Sequence, residues 1–154
     1  MSRDEKFRSP QPLVADFDFG QETARVFDDM LDRSVPFYAE IQRMLGELAL
    51  DFAQPGSHIY DLGCSTGTTL LHLDQRLPHD LTLVGIDASP EMLAIAQEKI
   101  AAAAPIHPIV LQCQNIEDDI ALTEASVVIM NLTLQFVRPL YRDRLIQSIA
   151  SGLR

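Results

Sequence analysis

From residue 58 onward, short apolar runs alternate with longer segments that are apolar on one side. HIYDL (58–62) leads through a glycine turn into a helical run over 67–76. LTLVGID (81–87) is rich in β-formers, and Ser89-Pro90-Glu91 then starts a helix that reaches about Ala103. PIVLQC (108–113) and ASVVIMN (125–131) read as the third and fourth strands. Pro139 opens a last helix with Leu145, Ile146 and Ile149 on one side. Apolar strands separated by helices predict an α/β domain, a parallel sheet with helices on both faces.

Upstream, QETARVFDDMLDR (21–33) predicts a short helix. In SVPFYAEIQRMLGELALDF, Pro36 suits a first helical turn, and Ile41, Met44, Leu45, Leu48 and Phe52 form an apolar stripe expected to pack. QPGS (54–57) ends that helix. Residues 1–20, polar and broken by Pro10, Pro12 and Gly20, read as an arm before a domain over 21–154. The last helix runs to Gly152-Leu153-Arg154, where another strand would follow. A doubly wound sheet of four strands would be small and leave an open edge. The expectation is therefore the N-terminal part of a longer protein, without its C-terminal strands.

Composition narrows the class. With 154 residues, 47% hydrophobic and 22% charged, the chain is one globular domain. Twenty-two acidic residues against 12 basic give a net charge of -10, which repels phosphate backbones and argues against direct nucleic-acid binding. Cys64 and Cys113 are far apart and have no His cluster beside them, so no metal site is expected. Two isolated thiols, no apolar leader in MSRDEKFRSPQPLV and no run of membrane-spanning length point to the cytoplasm.

The candidate chemistry lies in IYDLGCSTGTTL (59–70), which admits three readings. Gly63-x-Ser65-x-Gly67 matches the nucleophile elbow of serine hydrolases, but that needs an acid and then a His at the carboxyl ends of the strands. His107 lies in the loop feeding a strand, at the opposite edge, and His72 and His79 lie within or just after the helix, pointing away. A dinucleotide loop needs Gly-x-Gly-x-x-Gly, and Ser65 and Thr68 stand where two of those glycines belong. The third reading is an S-adenosylmethionine (SAM) site. Small residues after the first strand admit the methionine part, and Asp87, ending the second strand, accepts the ribose hydroxyls. Asn115, beyond the third, addresses the adenine amine. All these loops fall at the carboxyl edge of a parallel sheet, where such folds bind ligands. Asn131, ending the fourth strand at the same edge, joins them.

MLDRSVPFY (30–38), IYDLGCS (59–65), GIDASPEM (85–92) and ASVVIMNLTLQFV (125–137) resemble the carboxy-S-adenosyl-L-methionine synthase family over about Asp4 to Arg154. The resemblance implies a Rossmann-like class I SAM-methyltransferase fold and a homodimer. It further implies transfer of a carboxyl group from prephenate to SAM, giving carboxy-SAM and phenylpyruvate. A tRNA-modifying enzyme then uses carboxy-SAM on the wobble uridine. SAM or carboxy-SAM is the implied cofactor, with no metal.

Carried over by position, Tyr38, Gly63, Cys64, Ser65, Asp87, Ala88, Asn115, Ile116 and Asn131 are the cofactor-binding set. Ala88 departs from the family's Asn, and Asn115 departs from its Asp; the amide oxygen of Asn115 still accepts from an adenine amine. No residue matches the family's carboxylate-binding arginine, and no catalytic residue is assigned. Two rival expectations are an ordinary SAM-dependent methyltransferase acting on a small molecule or tRNA, and a non-catalytic fragment.

Overall fold

The computed structural model describes residues 20–78 and 80–154, so the expected arm over 1–19, and His79, lie outside the described residues. Strands β1 (Ser57–Leu62), β2 (Leu81–Asp87), β3 (Ile109–Cys113) and β4 (Ala125–Ile129) form one parallel sheet in the order β3-β2-β1-β4. Helices α1 (Gln21–Ser34) and α2 (Tyr38–Phe52) precede it, and α3 (Thr68–Asp74), α4 (Pro90–Ala103) and α5 (Pro139–Gly152) follow strands. The period of two along each strand sorts side chains onto two faces. Ile59, Leu81, Leu83 and Ile129 meet Ala49 of α2, Leu70 and Leu73 of α3 and Leu93 of α4. Tyr60, Leu62, Val84 and Ile86 meet Leu145 of α5 on the other side.

Local signals act where the sequence places them. Ser89 caps α4, its Oγ accepting from the Met92 amide at 3.1 Å, with Pro90 next to it. The elbow into α3 is made by Gly67, in the left-handed region at φ 76°. After α5, Leu153 forms a parallel bridge to Ala125, and the Arg154 amide donates to the Ala125 carbonyl at 3.1 Å.

Several expectations are corrected. Pro36 lies in the turn between α1 and α2; the cap of α2 is Phe37, itself left-handed at φ 57°. The α2 stripe does not pack as a unit: Met44, Leu48 and Phe52 are exposed, and the inward face is Gln42, Leu45, Gly46 and Ala49. A Cβ on Gly46 would sit 2.7 Å from Arg76 Cδ, so a small residue lets a neighbouring side chain lie across the helix. The run over 67–76 is helical only over Thr68–Asp74, and β4 ends at Ile129, leaving Asn131 in the loop beyond. The β3–β4 connection holds no helix; Ile116, Ile120 and Leu122 fold it onto the α5 side of the sheet.

Candidate functional site

The strand order reverses beside β1, which has β2 on one side and β4 on the other, and the chain opens there at the carboxyl edge. A cavity of about 710 Å³ fills the opening. Tyr38, Gly63, Cys64, Ser65, Asp87, Ala88, Asn115, Ile116 and Asn131, from five separate segments, all line it. Phe27, Met30 and Leu31 of α1 close one side with apolar surface, and Phe136 and Val137 close another.

The loops are held by their own backbone. Asp87 accepts from the Ser65 amide through one oxygen and from the Ser89 amide through the other, both at 2.9 Å. The carboxylate is thereby fixed between the two loops, each oxygen keeping a lone pair for a ligand. Ser65 at φ 49° and Leu132 at φ 56° are left-handed, as is Phe37 beside Tyr38. Non-glycine residues in that region are strained, and here each adjoins or belongs to the cavity wall. Gly63 has no side-chain alternative: at φ 78° its Cβ would meet Thr133 Cγ2 at 2.5 Å. Asn115 is partly committed, its Oδ1 accepting from the Glu117 amide at 3.0 Å in a tight turn.

Asp61, ending β1 beneath the glycine loop, is 2% exposed and lines the cavity. Its carboxylate has no hydrogen-bond partner among the described residues. Burial, helped by the charge of Asp87, raises its pKa to about 7. The same burial, with Asp61 and Asp87 nearby, pushes the Cys64 thiol far up, so it is a packed thiol and not a nucleophile. Tyr38 is raised as well, chiefly by burial; a hydrogen bond from Gln42 opposes this, and Asp28 and Asp61 add to it.

A second polar group ties α1 to the glycine loop. Asp28 accepts from Thr66 Oγ1 at 2.5 Å, Thr68 Oγ1 at 3.2 Å and Lys99 Nζ at 2.6 Å, and Lys99 also reaches Thr68 at 2.9 Å. At the other edge of the sheet, His107 is buried with Nδ1 2.9 Å from Asp74 and Nε2 2.6 Å from the Pro78 carbonyl. Among the described residues no imidazole bonds to Ser65, and its hydroxyl turns to the Gly63 carbonyl at 3.5 Å. No hydrolase triad forms among the described residues.

A family model described as a methyltransferase domain matches residues 59–154, from β1 through the end of the chain. The chain belongs to the methyltransferase-domain family. Two solved methyltransferases show the same fold. An S-adenosylmethionine-dependent methyltransferase from Clostridium acetobutylicum matches with a TM-score of 0.67 at 19% identity, over 83% of this chain and 51% of that one. A SAM-bound amino pentose methyltransferase from Micromonospora echinaspora matches at 0.65 and 16% identity, with the same coverage. In sequence, the carboxy-S-adenosyl-L-methionine synthase of Methylococcus capsulatus is 55% identical over 99% of this chain. Its counterpart from a Geobacter species is 42% identical over 98%. The chain spans 64% and 62% of the lengths of these two relatives.

The sequence pattern passes over residues that only packing brings to the cavity. Asp61, two residues ahead of Gly63, is an acid at the mouth of the glycine loop that the nine-residue binding set does not include. Thr69, on α3, and the Phe27–Leu31 side of α1 reach the cavity through helix packing. Phe27 and Leu31 are one helical turn apart, a signal that reads equally well as ordinary core.

Proposed function

We propose that the protein binds SAM in this cavity and catalyses the reaction for which its relatives are named, forming carboxy-SAM from SAM and prephenate. The reading is supported above all by the meeting of five segments carrying the nine family positions around one opening, together with 55% identity to a carboxy-SAM synthase. The volume falls in the ~300–1,000 Å³ range of small-molecule sites.

The donor and acceptor set fits SAM. Asp87, already fixed by two amides, offers its remaining lone pairs to the ribose diol. Asn115 keeps its NH₂ and one lone pair for the adenine edge. Asp61, buried without a hydrogen-bond partner among the described residues, meets the α-ammonium, whose charge favours the ionised carboxylate. Gly63 lets the backbone approach the methionine part closely.

Prephenate supplies the carboxyl group and, as it loses carbon dioxide and hydroxide, the base that takes a proton from the SAM methyl carbon. The protein's own part is to orient and to exclude water. Phe27, Met30, Leu31 and Phe136 supply the apolar walls. Tyr38 stays a neutral phenol and Cys64 a neutral thiol, so neither competes as nucleophile. The product passes to an enzyme that modifies the tRNA wobble uridine, and the protein acts as a cytoplasmic homodimer.

The test is to incubate the full-length protein with SAM and prephenate and weigh the nucleoside product. A species heavier than SAM by one carboxyl, with phenylpyruvate released, supports the reading. Methyl transfer to a small molecule or tRNA, with no such species, replaces it with an ordinary methyltransferase.

A further inference from the structure

Gln42 is the one polar residue of the inward face of α2, 1% exposed, and it does not itself line the cavity. Its amide nitrogen donates to Tyr38 Oη at 2.9 Å and to Thr69 Oγ1 at 3.1 Å. Both hydroxyls belong to the cavity wall, Tyr38 from the first turn of α2 and Thr69 from the first turn of α3. The Gln42 carbonyl oxygen is buried with no partner among the described residues. A buried orphan acceptor carries a desolvation cost, and its presence calls for a compensating role.

The role follows from counting protons. An amide NH₂ has two hydrogens, and both are given away here. Each hydroxyl oxygen that accepts one must send its own proton elsewhere. Neither hydroxyl has an acceptor for that proton among the described residues. From this hydrogen-bond direction we infer that Gln42 is a positioning residue: it turns the Tyr38 and Thr69 O–H groups outward as a paired donor for a carboxylate in the cavity. The phenol stays protonated at neutral pH, as a donor must.

Which carboxylate is fixed by the neighbour. Tyr38, Thr69 and Asp61 line the same cavity, Tyr38 senses the charge of Asp61, and Asp61 itself calls for a cation. Two donors beside one acidic acceptor match a group with carboxylate and ammonium on the same carbon. That group is an α-amino-acid head, the tail of SAM, so the inference rests on the SAM reading of the cavity.

The probe is decarboxylated SAM, which keeps the nucleoside, sulfonium and ammonium and lacks only that carboxylate. Calorimetry on the full-length wild-type protein should show SAM binding at least about tenfold tighter than decarboxylated SAM, since hydrogen bonds to a charged group are the strong ones. Gln42→Met should collapse that preference to within about twofold by weakening SAM alone. Thr69→Val, which changes a single buried hydroxyl, should do the same in part and stands in should Gln42→Met fold poorly. Gln42→Glu, which accepts from both hydroxyls and reverses their direction, should weaken SAM at least as much as Gln42→Met. A preference unchanged in Gln42→Met and Thr69→Val, or both ligands weakened in parallel, overturns the inference and leaves Gln42 a packing residue. Wild-type protein that binds neither compound overturns the SAM reading itself, and the inference with it.

Discussion

Two buried carboxylates sit at opposite edges of the same sheet, and they are treated in opposite ways. Asp74, closing α3 at the lower edge, accepts from the amides of Ile106 and His107 and from His107 Nδ1, at 2.8–3.2 Å. Burial alone would raise its pKa, but the hydrogen bonds from His107 and Ile106 outweigh it, and the carboxyl is held below its ordinary value. Asp61, at the upper edge, is the more deeply buried and receives no hydrogen bond among the described residues, so burial, helped by the charge of Asp87, carries its pKa to about 7. The lower carboxylate is satisfied by the fold, and the upper one faces the cavity, where the SAM reading gives it the α-ammonium as partner. Backbone strain does not follow this division: of the five described non-glycine residues with left-handed backbone, Phe37, Ser65 and Leu132 lie at or beside the cavity, while Ala104 and Glu124 lie at the lower edge.

The comparison is broken most severely from below. Asp74→Ala strands the amides of Ile106 and His107 and a buried imidazole, and should cost about 3–5 kcal/mol in urea unfolding. SAM affinity of the folded protein should stay within about twofold. Asp61→Asn should do the reverse. With its charge gone, SAM should bind about 10–100-fold more weakly by calorimetry, while the unliganded protein at pH 8 should melt at a higher temperature.

A pH series sharpens the contrast, because the signs differ. Asp61 has a folded pKa above its unfolded value, so its contribution to stability is complete in acid and lost as pH rises from about 4 to 7. Asp74 has a depressed folded value, so its contribution is present above the unfolded pKa near ~4 and lost only as pH falls below it. Between about pH 4 and 7, wild type should lose stability relative to Asp61→Asn by up to about 1.4 kcal/mol per unit. Chemical denaturation of both proteins at each pH measures this. The smallest effect is expected at the α4 cap. Ser89→Ala removes the bond to the Met92 amide and should cost about 1 kcal/mol, leaving Asp87 held by its two amides.

Much of this was legible in the sequence where a local pattern decides the outcome. LTLVGID became β2 with the expected bounds, Ser89-Pro90 started α4, and Pro139 opened a helix that runs to Gly152. The glycine loop, Asp87, Asn115 and Asn131 met at one edge because parallel topology puts all such loops there. The reading failed where packing overrides pattern. On α2 the large apolar residues Met44, Leu48 and Phe52 face outward, while Gln42, Gly46 and Ala49 face in. Gly46 admits the Arg76 side chain, and Gln42 spends its polarity on Tyr38 and Thr69. No periodicity reports a hydrogen bond between residues 27 positions apart in sequence.

What most directly tests the account is the titration of the Asp61 carboxyl carbon by NMR, without ligand and then saturated with SAM. The account predicts a midpoint near 7 in the free protein and a fall to an ordinary carboxylate value or lower once SAM is bound. A free-protein midpoint already near ~4, or one near 7 that SAM leaves in place, would contradict it.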